Sequence, residues 1–292
     1  MNITINEVGL RDGIQSEAKF VPTAEKIRLM HALFDAGVKS LEATSFVSPQ
    51  ALPQLADAEA VLSGLNRPRG THISALVPNI RGAHRAIRAN IDEIVVFVSA
   101  SESHNRKNLN RSIQESLAGV DEIALLARDA GIAVKGGIAT AFGCPFEGDM
   151  EPERVTAIAR AFRASGVSRL NLGDTTGMAT PRIVREVCAN ILTALPDTAL
   201  SLHFHNTRGM AMVNVAEGLA LGITEYESSL GGIGGCPFAP GATGNICTED
   251  LVNYLHEDGH HTGIDVAALV GVRLSTTLAP IGTRSLTTAS SG

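Results

Sequence analysis

Asp35-Ala36-Gly37-Val38 runs directly into Ser40-Leu41-Glu42-Ala43, joining the end of a helix-like stretch to a short strand-like run. The same junction recurs as Asp129-Ala130-Gly131-Ile132 into Ala133-Val134, as Ala164-Ser165-Gly166-Val167 into Leu170-Asn171-Leu172, and as Ala220-Leu221-Gly222-Ile223 into Glu225-Tyr226-Glu227. Glycine just past a helix takes the left-handed conformation that ends it, and the chain turns back as a strand. Asn90, before Ile91-Asp92-Glu93-Ile94-Val95-Val96, suits the same role. With the strand-like runs near Ile5, Ile73–Leu76 and Leu200–Phe204, eight strands are predicted, centred near residues 5, 41, 74, 95, 134, 171, 202 and 227. Strands alternating with helices call for a parallel sheet, and eight such units in a chain of this length predict a closed (β/α)₈ TIM barrel. An open doubly wound sheet is the alternative, but no G-x-G-x-x-G follows the first strand and no phosphate-binding G-x-x-x-x-G-K-[ST] occurs. Residues 1–292 are read as one α/β domain with a glycine-rich loop after strand 8, and the small-residue tail 285–292 as flexible.

Composition narrows the function. A chain of 292 residues with 44% hydrophobic and 18% charged residues can bury a sizeable core. A net charge of -6 and dispersed Lys and Arg leave no basic footprint, so no nucleic-acid partner is expected. No apolar run is long enough to predict a membrane span, and the strand-like Ile3-Thr4-Ile5 leaves no room for a signal peptide. Cys144, Cys188, Cys236 and Cys247 lack C-x-x-C spacing, which predicts free thiols and a cytoplasmic protein.

Catalytic groups of a TIM barrel sit where its strands end. Arg11 and Asp12 follow the first strand, Glu42 ends the second, Asp174 the sixth, and His203 and His205 the seventh. Each alone has a structural explanation: Asp12-Gly13 as a turn, Asp174-Thr175 as a helix cap, Glu42 as the partner of a buried arginine. Their joint position on one rim favours a site. Side chains two apart on a strand share a face, so His203 and His205 converge on one volume. Two imidazoles and a carboxylate leave room for one more ligand and for substrate, as in catalytic rather than structural metal sites. Asn245 offers a carbonyl oxygen, and mixed N and O ligands admit Mg²⁺, Mn²⁺ or Zn²⁺. Six glycines between Leu230 and Asn245 surround Cys236, whose thiol is a candidate proton carrier. Cys144, in the similar Gly143-Cys144-Pro145-Phe146, competes with it. Cys188 and Cys247 read as packing residues.

Glu7-Val8-Gly9-Leu10-Arg11-Asp12-Gly13-Ile14-Gln15-Ser16-Glu17, Leu41-Glu42-Ala43-Thr44-Ser45-Phe46-Val47-Ser48-Pro49, Leu172-Gly173-Asp174-Thr175, His203-Phe204-His205 and Gly234-Gly235-Cys236-Pro237 together resemble the 3-hydroxy-3-methylglutaryl-CoA lyase family, in collinear order from about residue 3 to about residue 270. The Arg-Asp opening and H-x-H are shared with the related Claisen synthases, whereas Thr-Ser-Phe-Val-Ser-Pro and Gly-Gly-Cys-Pro are more specific to the lyases. The resemblance implies retro-Claisen cleavage of an acyl-CoA, 3-hydroxy-3-methylglutaryl-CoA, to acetyl-CoA and acetoacetate. It implies a Mg²⁺ or Mn²⁺ ion on Asp12, His203, His205 and Asn245. It further implies Arg11 at the enolate oxygen, Asp12, His203 or Asp174 as base, and Cys236 as proton donor. Glu42 would orient Arg11 or a histidine, and Gln15, Ser45 and Thr175 would line the acyl pocket. Family precedent adds a homodimer.

The chain departs from that pattern at two places. Relatives continue after the second histidine as Asp-Thr-Tyr-Gly, whereas this chain reads Asn206-Thr207-Arg208-Gly209, and Gly137 stands where an aromatic residue is common. These departures point to a lyase for a related 3-hydroxy-3-carboxymethyl acyl-CoA as the main alternative. A condensing synthase, a Schiff-base aldolase using Lys135 and a non-catalytic binding barrel complete the alternatives.

Overall fold

The computed structural model describes residues 1–235 and 244–272. Eight parallel strands close into a barrel: β1 (Thr4–Glu7), β2 (Ser40–Ser45), β3 (His72–Leu76), β4 (Glu93–Ser99), β5 (Ala133–Ala139), β6 (Arg169–Asp174), β7 (Ala199–Phe204) and β8 (Glu225–Ser228). Each pairs with the next, and β8 returns to β1 through Thr4 opposite Glu225 to Glu7 opposite Ser228. The TIM-barrel expectation and all eight strand positions are met. Around the barrel lie α1 (Thr23–Asp35), α2 (Ala58–Gly64), α3 (Ile80–Arg88), α4 (Glu102–Leu109), α5 (Ile113–Asp129), α6 (Pro152–Ala164), α7 (Pro181–Ala194), α8 (Ala211–Ala220), α9 (Thr248–Glu257) and α10 (Val266–Gly271).

Local chemistry sets these boundaries. Backbone φ is positive at Gly37, Gly131, Gly166 and Gly222 and at Asn90, the five positions read as helix terminators. At Gly37 a side chain is doubly excluded, because a Cβ there would lie 2.4 Å from the Gly263 carbonyl oxygen. Helix starts are capped as their residues dictate. The Asn79 and Ser101 side chains accept N–H bonds from Gly82 and His104, and Ser112 with Glu115 forms a reciprocal capping box at α5.

Strand alternation sorts the side chains. Ile94, Val96, Leu170, Leu172 and Leu202 join Val155, Phe162, Val184 and Val187 in one buried cluster between barrel and helices. The barrel interior is polar at its base: Lys135 Nζ bonds Glu227 Oε1 at 3.1 Å and Glu225 Oε1 at 3.3 Å, while Arg169 bonds Glu225 at 2.9 Å and lies 3.3 Å from Glu93. Buried charges persist only when paired, and this plug supports the layer above it.

Candidate active site

After β1 the chain winds into a π-helical turn, Gly9–Gly13, closed by N–H bonds from Gly13 to Val8 C=O at 3.3 Å and from Ile14 to Gly9 C=O at 3.0 Å. Wide turns of this kind recur at functional sites. Glu7 anchors it: one carboxylate oxygen accepts the N–H groups of Gly9 at 2.7 Å and Leu230 at 2.9 Å, and the other accepts the Thr248 hydroxyl. Burial outweighs these bonds and pushes the Glu7 carboxyl up to about 7.

The turn delivers Arg11 and Asp12 to the barrel mouth. The Arg11 guanidinium donates to both oxygens of Glu42, at 2.8 and 2.9 Å, and its remaining terminal nitrogen donates to Asp12 Oδ1 at 2.6 Å. All its orientations but one are thereby removed, because a bidentate fork is rigid. Asp12 Oδ1 also accepts the Gln15 amide at 2.9 Å, and Oδ2 accepts Asn245 Nδ2 at 2.9 Å. Burial would raise the Asp12 carboxyl, but the charges of Arg11, His203 and His205 and the Asn245 bond bring it down to about 2. It is ionised at neutral pH.

His203 lies within β7 and His205 one residue beyond it, bridged to Asn245 on the segment after β8. Their Nε2 atoms are 3.0 Å apart, and Asp12 Oδ2 lies 4.0 Å from His203 Nε2 and 3.8 Å from His205 Nε2. Glu227 on β8 is 3.0 Å from His203 Nδ1. A carboxylate there holds a proton on Nδ1 and turns Nε2 toward the shared volume, where it can serve as a ligand once it is deprotonated. Burial would lower His203, but the Glu227 bond and the charges of Asp12 and Glu227 hold it above the usual histidine range. His205 Nδ1 has no hydrogen-bond partner among the described residues; burial and the neighbouring His203 outweigh Asp12 and bring it down to about 4, so its ring is neutral.

Arg11, Asp12, Glu42, His203, His205 and Glu227 line a cavity of about 690 Å³ that also reaches Gln15, Gly137, Asn171, Thr175 and Gly235. Glu42 sits inside β2, at a register shift with β3, rather than at its end. Asp174 does end β6, but Oδ1 is occupied by the Met178 and Ala179 N–H groups at 2.8 and 3.0 Å, and it is not among the cavity-lining residues. Burial pushes its carboxyl up to about 7. Ser45 is buried with its hydroxyl accepting Val47 N–H at 3.2 Å, shaping the exit of β2 away from the cavity lining. Thr175 Oγ1 accepts Thr140 N–H at 2.9 Å. Cys144 is buried, with its thiol 3.1 Å from the Ser101 hydroxyl. Cys236 and the tail 285–292 lie outside the described residues. Asn206 accepts Ala211 N–H at 3.3 Å, and Arg208 is exposed. Glu227 is a site residue that the sequence does not mark, although alternation along β8 turns it inward, and Lys135, the candidate Schiff-base lysine, is turned inward from β5. Lys135 is locked among Glu227, Glu225 and Glu93, which keep its charge on, and a permanently charged amine is no Schiff-base nucleophile.

A profile of the HMGL-like family matches residues 2–274. The chain belongs to the HMGL-like family. It is 42% identical over 268 residues to hydroxymethylglutaryl-CoA lyase YngG of Bacillus subtilis, covering 92% of this chain and 90% of that one. Identity to the mitochondrial hydroxymethylglutaryl-CoA lyase of Bos taurus is also 42%, over 92% of this chain and 82% of the relative. The crystal structure of the Bacillus subtilis HMG-CoA lyase superposes with a TM-score of 0.95 at 40% identity, covering 99% of this chain and 98% of that one. That of the Acinetobacter baumannii HMG-CoA lyase, in complex with coenzyme A and 3-methylmalate, gives 0.88 at 42% identity, over 93% and 88%.

The HMGL-like site has the donor set for a cation. Asp12, His203 and His205 each present one ligand atom, all within 4.8 Å of one another. Asn245 Oδ1 and His205 Nδ1 are buried without a hydrogen-bond partner among the described residues. An orphaned amide oxygen costs stability, and a bound cation would satisfy the one on Asn245. No helix among the described residues is long and apolar enough to cross a membrane.

Proposed function

We propose that this HMGL-like barrel cleaves 3-hydroxy-3-methylglutaryl-CoA to acetyl-CoA and acetoacetate with the help of Mg²⁺ or Mn²⁺, as a cytoplasmic enzyme. The observation that carries the reading is the convergence of Asp12, His203 and His205 beside the Arg11–Glu42 pair at the barrel mouth. The names of the relatives support the substrate, and the Acinetobacter baumannii complex supports coenzyme A beside a hydroxydicarboxylate. Asp12, His203, His205 and Asn245 would hold the ion, which would supply Lewis-acid chemistry at the substrate hydroxyl.

The chain's own groups do the rest. Asp174 does not line the cavity, and His203 is committed through Nδ1 to Glu227 and through Nε2 to the cation, so the hydroxyl proton goes to Asp12. As the C2–C3 bond breaks, its electron pair moves onto the thioester as an enolate. Arg11, immobilised by Glu42, presents fixed positive charge to that oxygen and needs no reorganisation. Gln15 holds Asp12 and, with Thr175, faces the acyl group. Cys236 follows the cavity-lining Gly235 in the chain and supplies the proton that completes acetyl-CoA. Glu227 keeps the tautomer and orientation of His203. The enzyme works as a homodimer.

The test is acetyl-CoA release from a set of 3-hydroxyacyl-CoA thioesters, in Mg²⁺ or Mn²⁺ and in EDTA. Release that EDTA abolishes and metal restores is expected. Absence of cleavage of every thioester with metal present overturns the reading.

A further inference from the structure

The mouth of the barrel has two unlike halves. Strands β7, β8, β1 and β2 are consecutive around the closed sheet, and they or the turns that follow them bear His203, His205, Glu227, Arg11, Asp12 and Glu42. The strand wall of the opposite arc, β3 to β5, lines the same cavity with Leu76, Val95, Phe97 and Gly137, while Asn79, His104, Asn108 and Arg111 line its outer rim from the segments that follow β3 and β4. These positions are contiguous: Leu76 is registered against Val95, and Phe97 against Gly137. Gly137 carries no positive φ, so the backbone does not demand glycine there. A Cβ would lie 3.3 Å from Phe97 Cβ, a tight contact that a small shift of Phe97 would have to relieve, so glycine here keeps the Phe97 side of the wall uncrowded. Gly173 on β6 lines the cavity too, and a Cβ on it would meet nothing within 3.5 Å. The missing side chains leave room on the apolar side of the site.

Resting on the lyase reading above, we propose that this apolar arc, opened by Gly137, is a specificity pocket for the substituent on the hydroxyl-bearing carbon, and that it takes linear alkyl groups longer than methyl. The geometry of that carbon carries the argument. It bears a hydroxyl, a carboxymethyl arm, a thioester arm and one alkyl group. The first three are polar and have polar partners in the Asp12, His203 and His205 cluster and Arg11 on the β7–β2 half and in Asn79, His104 and Arg111 at the outer rim. The fourth must then project across the barrel, toward Leu76, Val95, Phe97 and Gly137. Alkyl groups gain by leaving water for such a wall, and a pocket built of apolar groups discriminates among homologues by about 10- to 200-fold per methylene misfit.

The experiment uses metal-loaded full-length enzyme and a series of 3-hydroxy-3-alkylglutaryl-CoA thioesters with methyl, ethyl, propyl and butyl substituents, each scored by acetyl-CoA release. Expected is a butyl-to-methyl ratio of kcat/KM of at least one-third in the parent enzyme. In Gly137→Val, and independently in Leu76→Phe, which fills the pocket from β3 at the other side of the arc should Gly137→Val fold poorly, the ratio falls at least tenfold. A ratio distinguishes a pocket from a general disturbance, which lowers both substrates together. Cleavage of the methyl substrate with a parent ratio below one-third overturns the pocket and leaves the lyase intact. A tenfold fall in neither variant also overturns it. Failure to cleave any member of the series overturns the lyase reading and the pocket with it.

Discussion

At the scale of single residues, the site depends on how tightly one arginine is held. Arg11 spends three of its nitrogens on Glu42 and Asp12, a geometry that only a planar fork can satisfy. Lysine is a point charge and cannot bridge both carboxylates. Arg11→Lys should therefore lower kcat by roughly 100-fold or more, with a much smaller change in KM, as steady-state kinetics would show. The proton donor is separable from metal binding. Cys236→Ala should lose most turnover while Mn²⁺ still binds, and Cys144→Ala, whose thiol is buried against Ser101, should keep it. The reverse pattern would move the assignment to Cys144. H-x-H, Arg-Asp and the asparagine were legible in the sequence because each is a short motif at a strand end. Glu227 was not, since its role depends on β7 and β8 lying side by side with His203 registered against Glu227. Asp174 illustrates the converse. It occupies the expected rim position, yet the two N–H groups it accepts make it a brace for its own loop.

At the scale of elements, Glu7 joins three of them: the π-helical turn, the segment after β8 and the start of α9. Its carboxyl, at about 7 in the folded chain against the ordinary value of 4.5 in the unfolded one, binds a proton more tightly when folded. The folded state thus holds more protons than the unfolded one between those values, so stability falls as pH rises through that window. Glu7→Gln removes the titration. The melting temperature of the parent relative to Glu7→Gln should drop between pH 5 and pH 8, and a constant difference would refute the assignment. The ionic plug beneath the site makes a second element-scale prediction. Lys135→Met would remove the cation shared by Glu225, Glu227 and Glu93, leaving Arg169 to the first and third and His203 to the second. Removing one partner from such a buried group costs about 3–5 kcal/mol, measurable by urea unfolding. The strands were readable because helix-ending glycines and Asn90 punctuate the chain. The π-helical turn was not, because an extra residue in one helical turn leaves no periodic trace in five residues.

At the scale of the whole molecule, the candidate ligands are far apart in sequence: Asp12 follows β1, His203 and His205 belong to β7 and its end, and Asn245 follows β8. A cation held by all of them ties the two ends of the chain together and binds only the folded state. Adding Mn²⁺ to EDTA-treated protein should raise the melting temperature, by an amount that grows with the logarithm of metal concentration. His205→Ala should abolish that dependence. An unchanged melting temperature in the parent would mean that the cluster holds no ion. Barrel closure itself was inferable from eight βα units, because a right-handed parallel sheet of that number closes naturally. The division of the strand wall into an ionic arc and an apolar one was not, since it emerges only when β1 and β8 are brought side by side.

That seam between β1 and β8 also bears on synthesis. A ribosome releases Asp12 early and the histidines more than 190 residues later. Until β8 has emerged and docked against β1, the chain has an open sheet edge and no complete cluster. A nascent or truncated barrel ending before residue 225 thus has no complete donor set with which to capture an ion, so acquisition of the metal reports completed closure. Metal loading becomes a record of quality: a population scored by bound ion per chain counts the molecules whose first and last strands have met.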